Sequence, residues 1–199
     1  MVLRMAFCLG LAGTIFVLAT PSRAQKPPQT PPSAAATTPA PGAEQGDAFG
    51  EDAMLTGKPM VYLKGNGTWD SAFDTITGSI KKLKAFIDKE GLKSDGQPFT
   101  IFTATDDTGF QYQAAIPIAE APKNPPQGDI AVGTSPEGHA LKFVHRGSYD
   151  ALDNTYEAIT NFLDERRLEA KDMFIEQYVT DPLTTNEDHL VVNVFVMVK

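Results

Sequence analysis

Gly67-Thr68-Trp69-Asp70-Ser71-Ala72 and, eighty residues on, Gly147-Ser148-Tyr149-Asp150-Ala151-Leu152 follow one pattern: glycine, hydroxyl, aromatic, aspartate, small residue, entry to an apolar stretch. An internal repeat of this kind decides the architecture before any single element does. Apolar runs precede both copies, Met60-Val61-Tyr62-Leu63 and Leu141-Lys142-Phe143-Val144. Behind the first copy, Ala72, Phe73, Ile76, Ile80, Leu83 and Ile87 recur at three and four; behind the second, Leu152, Tyr156, Ile159 and Leu163 do so. Both patterns predict one-faced amphipathic helices. Asp70 and Asp150 suit an N-cap or a first-turn acid, and Gly91 is a helix stop.

Each helix is followed by a β-like run, Pro98 to Thr103 and Met173 to Tyr178. Both lead into Thr-Asp (Thr105-Asp106 and Thr180-Asp181) at an offset of 75, and Phe110 to Ile118 and Leu190 to Val198 close the halves. The fold class is therefore α+β: tandem duplicated βαββ repeats, at about 47–120 and 127–199, forming one antiparallel sheet with two helices on one face. A cleft between the repeats is expected, on the face opposite the helices.

The remaining sequence sets the context. Arg4, the apolar run from Met5 to Thr20 and the small residues Ser22 and Ala24 read as a signal peptide over 1–24, cleaved after Ala24 and sending the chain to the periplasm or otherwise out of the cell. The run is shorter than a spanning helix needs, so membrane attachment arises only if this segment is kept. Residues 25–46 are a Pro/Ala-rich linker without apolar period, and the domain occupies 47–199. Net charge is −8, and removing Arg4 and Arg23 with the signal makes it −10; no Lys/Arg cluster offers a phosphate-binding face, which argues against a nucleic-acid partner. Cys8, the one cysteine, precludes a disulfide framework, and His139, His145 and His189 lack metal-ligand spacing. No metal or cofactor is implied, and oligomeric state is left open.

His145-Arg146-Gly147-Ser148-Tyr149, then a helix, then Glu176-Gln177-Tyr178-Val179-Thr180-Asp181-Pro182 and an apolar strand resembles the GyrI-like family, the effector-binding domain of AraC- and MerR-type multidrug regulators. Its H-x-G-x-Y and E-x-Y-x-x-D-P motifs are intact and the resemblance covers roughly 50–199. It implies a concave pocket at the junction of the halves, lined by aromatics around one buried acid and taking cationic, lipophilic compounds. The family acid maps onto Glu176. The closing strand departs from the family's aromatic-x-Pro pattern with Phe195-Val196-Met197, although the first half keeps Ile116-Pro117-Ile118. No helix-turn-helix pattern precedes the domain, so the resemblance implies no transcriptional role.

On the residues alone, Glu176 reads either as an exposed strand acid or as an inward carboxylate, which is costly unless paired; its counterpart at offset 75 is Ile101. The resemblance selects the inward reading, as a holder of a cation or a proton. Tyr178, two residues on, shares its face and can stack on a ligand, orient Glu176 or simply pack in the core. Trp69 and Tyr149 can wall a cleft and offer cation–π contact or pack the strand-to-helix turn. Phe102, Tyr112 and Phe195 are further ligand-binding candidates. Ser148 and His145 have no acid to complete a triad. The leading function is an exported small-molecule-binding protein holding a hydrophobic, cationic ligand. The alternatives are a hydrolase of strained small molecules with Glu176 as general base, as in cyclopropane-opening relatives the family resembles, and a protein-interaction module. A second acid or a tyrosine hydroxyl converging on Glu176 is the feature that favours the enzyme.

Overall fold

A computed structural model describes residues 49–199 other than 125; the signal and linker readings for 1–46 lie outside the described residues. Eight strands and two helices follow one another as β1 (Glu51–Leu55), β2 (Pro59–Thr68), α1 (Ala72–Glu90), β3 (Phe99–Thr105), β4 (Gly109–Pro117), β5 (Ile130–Thr134), β6 (Gly138–Gly147), α2 (Leu152–Arg166), β7 (Ala170–Tyr178) and β8 (Leu190–Val198). All pairings are antiparallel, in the order β1-β6-β8-β7-β3-β4-β2-β5. The predicted strands and helices are all present. What the sequence did not announce is a short leading strand in each half, β1 and β5, exchanged so that each pairs with the other half.

This exchange curls the sheet. β1 and β2 stand six strand spacings apart in the order, about 29 Å if flat, yet only residues 56–58 join them, a reach of about 15 Å. Leu55↔Gly138 and Pro59↔Thr134 keep one common register across the non-strand residues 56–58. Lys58 N donates to Ser135 Oγ (2.9 Å) and Ser135 N to Lys58 O (2.8 Å), tying the two connections together. The two ends of the sheet therefore meet, and the sheet has an inner face and a helix-bearing face.

Strand alternation sorts the core accordingly. Val61, Leu63, Phe102, Ala114, Phe143, Tyr178, Val192, Val194 and Val196 pack under the helices with Ile76, Ile80, Leu83, Leu152, Ile159 and Leu163. Met60, Phe99, Ile101, Ala115, Ala140, Ile175, Phe195 and Met197 fill the inner face. α1 ends on Gly91 at φ 64°, with Leu92 N bonded to Ile87 O; α2 ends on Arg167 at φ 55°, a left-handed stop without a glycine. Asp70 and Asp150 make no side-chain cap; each lies in the first turn of a short 3₁₀ helix (Trp69–Ser71 and Tyr149–Ala151) that leads into the α-helix. Both Thr-Asp signals are turns held by the aspartate: Asp106 accepts from Thr108 N and Gly109 N, and Asp181 from Leu183 N.

Candidate functional site

The registers locate the pseudo-two-fold axis. Met60↔Pro117 in the first half corresponds to Ala140↔Met197 in the second, an offset of 80 on both strands. Thr100↔Ala114 then corresponds to Glu176↔Val194, so the counterpart of Glu176 is Thr100 and not Ile101. Thr100 and Glu176 are also direct neighbours across β3 and β7. They sit astride the axis, on the helix-bearing face.

Glu176 is 2% exposed and takes three tyrosine hydroxyls: Tyr156 donates to Oε1 at 2.8 Å, and Tyr149 and Tyr178 donate to Oε2 at 2.9 and 3.1 Å. Tyr178 Oη also lies 3.3 Å from Thr100 Oγ1. Burial pushes the Glu176 carboxyl above the ordinary carboxylate range, and the Tyr156, Tyr149 and Tyr178 hydroxyls pull against it. Burial, and then the Glu176 charge, holds all three phenols well above the ordinary tyrosine range, so they remain donors at neutral pH.

The symmetry mates show that this chemistry belongs to one half. Tyr149 corresponds to Trp69 and Tyr156 to Ile76 at offset 80; Tyr178 corresponds to Phe102 by strand register. The second half supplies hydroxyls and the acid, and the first half supplies hydrocarbon. Trp69 stacks near Phe102 (ring centroids 6.4 Å apart) and against Phe110 (4.9 Å), and its Nε1 is anchored on Asp106 O at 2.8 Å.

A cavity of about 680 Å³ opens between the starts of the two helices, within the usual size of a small-molecule pocket. Glu176, Tyr149, Tyr156, Phe174, Trp69 and Phe102 form its polar and aromatic wall, and Asp70, Asp107, Asp150 and Asp153 also line it. Five carboxylates and no Lys or Arg are among the described lining residues. Nearby, burial and then the charges of Asp150, Asp188 and Asp74 raise the Glu187 carboxyl.

The cleft that holds Glu176 thus lies on the helix-bearing face, between the helix starts, and not on the opposite one. Glu176, Trp69, Tyr149 and Phe102 line it together. Tyr178 is fully buried behind Glu176 and orients it. Tyr112 is elsewhere: its hydroxyl lies 2.8 Å from Ser79 Oγ and bonds Thr75 O, under α1. Phe195 is paired with Ile175 on the inner face, one residue out of phase with Glu176. Tyr156 and Phe174 were missed, because each fits a core period. His145 bonds Thr155 Oγ1 and Ser148 O, bracing the turn that carries Tyr149.

The family model for the GyrI-like small molecule binding domain matches residues 53–199. The chain belongs to this family. No curated protein sequence matches it. Solved structures carry the same GyrI-like fold. EcmrR in its DNA-bound transcription complex has a TM-score of 0.65 at 15% identity, over 75% of this chain and 57% of that one. The isolated EcmrR C-terminal domain scores 0.59 at 16% identity, over 76% and 99%. The chain therefore spans little more than half of full EcmrR and nearly all of its C-terminal domain. The lin2189-encoded hydrolase from Listeria innocua scores 0.56 at 11% identity, over 76% and 92%. SAV2435 bound to tetraphenylphosphonium scores 0.51 at 17% identity, over 76% and 94%.

Proposed function

We propose that this GyrI-like domain is an exported binding protein for lipophilic, aromatic cations, held between the helix starts with Glu176 as counter-charge. The observation that carries the reading is a buried carboxylate facing an aromatic cavity that no described basic residue lines. A buried charge without a cation partner is unfavourable; the three hydroxyls stabilise it only in part, and a bound cation completes the pairing. Aromatic faces add cation–π attraction. SAV2435 binds a ligand of this chemistry on the same fold. The test is isothermal titration with tetraphenylphosphonium. With the charges about 6 Å apart, Coulomb attraction at an effective dielectric of 20 is about 3 kcal/mol. Glu176→Gln is therefore expected to weaken binding at least tenfold, and an unchanged affinity would remove Glu176 from the site. Export rests on residues 1–24; N-terminal sequencing of protein from the cell envelope should begin at Gln25, and a retained Met1 contradicts cleavage.

Three hydroxyls converging on one carboxylate also favour a second reading, hydrolysis with Glu176 as general base for water and a tyrosine as proton donor. Turnover of an activated cyclopropane, lost in Glu176→Gln, is the outcome that selects it. Stoichiometric binding without product selects the binding protein.

A further inference from the structure

We propose a second small-molecule site on the inner face of the curled sheet, back to back with the Glu176 cavity, that takes a small uncharged molecule with one aromatic ring and one hydrogen-bond acceptor. A cavity of about 220 Å³ lies there. Its buried lining includes Phe99, Ile175 and Phe195, exposed by 4–8%, together with Pro117, and Lys58 and Asp95, about half exposed, mark its mouth. Strand alternation makes it independent of the first site: Phe99, Ile175 and Gln177 line this cavity, while Thr100, Phe174 and Glu176 face the helices.

The chemistry of the lining selects the occupant. An apolar cavity of about 150 Å³ suffices to hold a benzene-sized molecule, so a single ring fits here and the four-ring cation of the first site does not. Lys58 Nζ is already paired with Asp95 Oδ2 at 2.8 Å, so the mouth offers a ligand no uncompensated charge. Gln177 supplies the polar contact: its Oε1 is engaged by Asn193 Nδ2 at 3.0 Å, which leaves the amide NH₂ as the donor for a ligand oxygen. A half-buried donor of that kind favours a ligand that can accept its hydrogen bond.

Phenol and toluene are the probes, titrated into the whole protein with the methionine methyls labelled for NMR. Met54, which lines the cavity, reports occupancy. Phenol is expected to bind saturably and several-fold more tightly than toluene. Ile175→Phe and Gln177→Phe, which fill the cavity from its floor and wall, are expected to abolish phenol binding while tetraphenylphosphonium still binds. Retained tetraphenylphosphonium binding shows that the variants fold, and it comes from the other face of the sheet. Absence of saturable phenol binding to the unaltered protein overturns the second site, as does phenol binding undiminished in both variants. If tetraphenylphosphonium fails to bind the unaltered protein, that refutes the proposed function alone.

Discussion

Tyr156→Phe isolates the energetics of the acid most sharply. Tyr149 and Tyr178 share Oε2, so losing one leaves the other in place; Tyr156 is, among the described residues, the sole hydroxyl donor to Oε1. Removing it takes one hydrogen bond from a buried charged acceptor, worth about 1.5–3 kcal/mol. Since 1.36 kcal/mol is tenfold in ionisation, the substitution favours the protonated acid by a factor of about ten to a hundred. The Phe ring keeps the packing against Phe174, whose ring centroid is 5.8 Å away. Tetraphenylphosphonium affinity measured from pH 5 to 9 reads the effect: affinity rises with pH as Glu176 ionises, and the midpoint moves upward in Tyr156→Phe, further than in Tyr149→Phe or Tyr178→Phe. Coincident midpoints in all four proteins would refute the claim that the hydroxyls pull the Glu176 carboxyl down against its burial.

Two further outcomes follow from the same geometry. Because the Glu176 carboxyl is raised on folding, its protonated form favours the folded state; its stabilisation is present at low pH and lost as pH rises from the ordinary carboxylate range through the raised value. Thermal melts across that window should show the unaltered protein losing stability relative to Glu176→Gln, and parallel curves would contradict burial of the acid. Trp69→Leu removes an aromatic face from the apolar half of the wall, worth about 0.5–1 kcal/mol of cation–π attraction, so tetraphenylphosphonium should bind about two- to fivefold more weakly by titration, with its pH midpoint unmoved; a moved midpoint would tie Trp69 to the acid.

The sequence makes the fold legible where period and repetition reinforce each other. Ile76, Ile80, Leu83 and Ile87 mark the face of α1, and the eighty-residue offset pairs the halves. β1 and β5 are hidden because five-residue strands carry too little alternation to say which edge they join, and the exchange between halves is a tertiary choice. That exchange, which curls the sheet, also moved the cleft from the face where the sequence placed it. Glu176 was legible through its motif. Tyr156 was not, because a tyrosine at a core position of a helix looks like packing; its mate Ile76 is the available signal, since a hydroxyl replaces hydrocarbon at a symmetric site. Tyr112 and Phe195 were misplaced for a related reason. Parity along β8 relative to Glu176 becomes known only with the register Glu176↔Val194, and a buried tyrosine finds whichever polar partner lies closest, which for Tyr112 is Ser79 on α1.

Charge selection is the central claim, and tetraphenylborate tests it most directly, being close to tetraphenylphosphonium in shape and opposite in charge. Five carboxylates line the cavity, with no described basic residue among them, so reversing the ligand's charge turns attraction at Glu176 into repulsion of similar size. Parallel titrations at neutral pH should show the cation binding saturably and the anion at least a hundredfold more weakly. Equal affinity for the two ions, or tighter binding of the anion, contradicts a cavity built around the Glu176 charge.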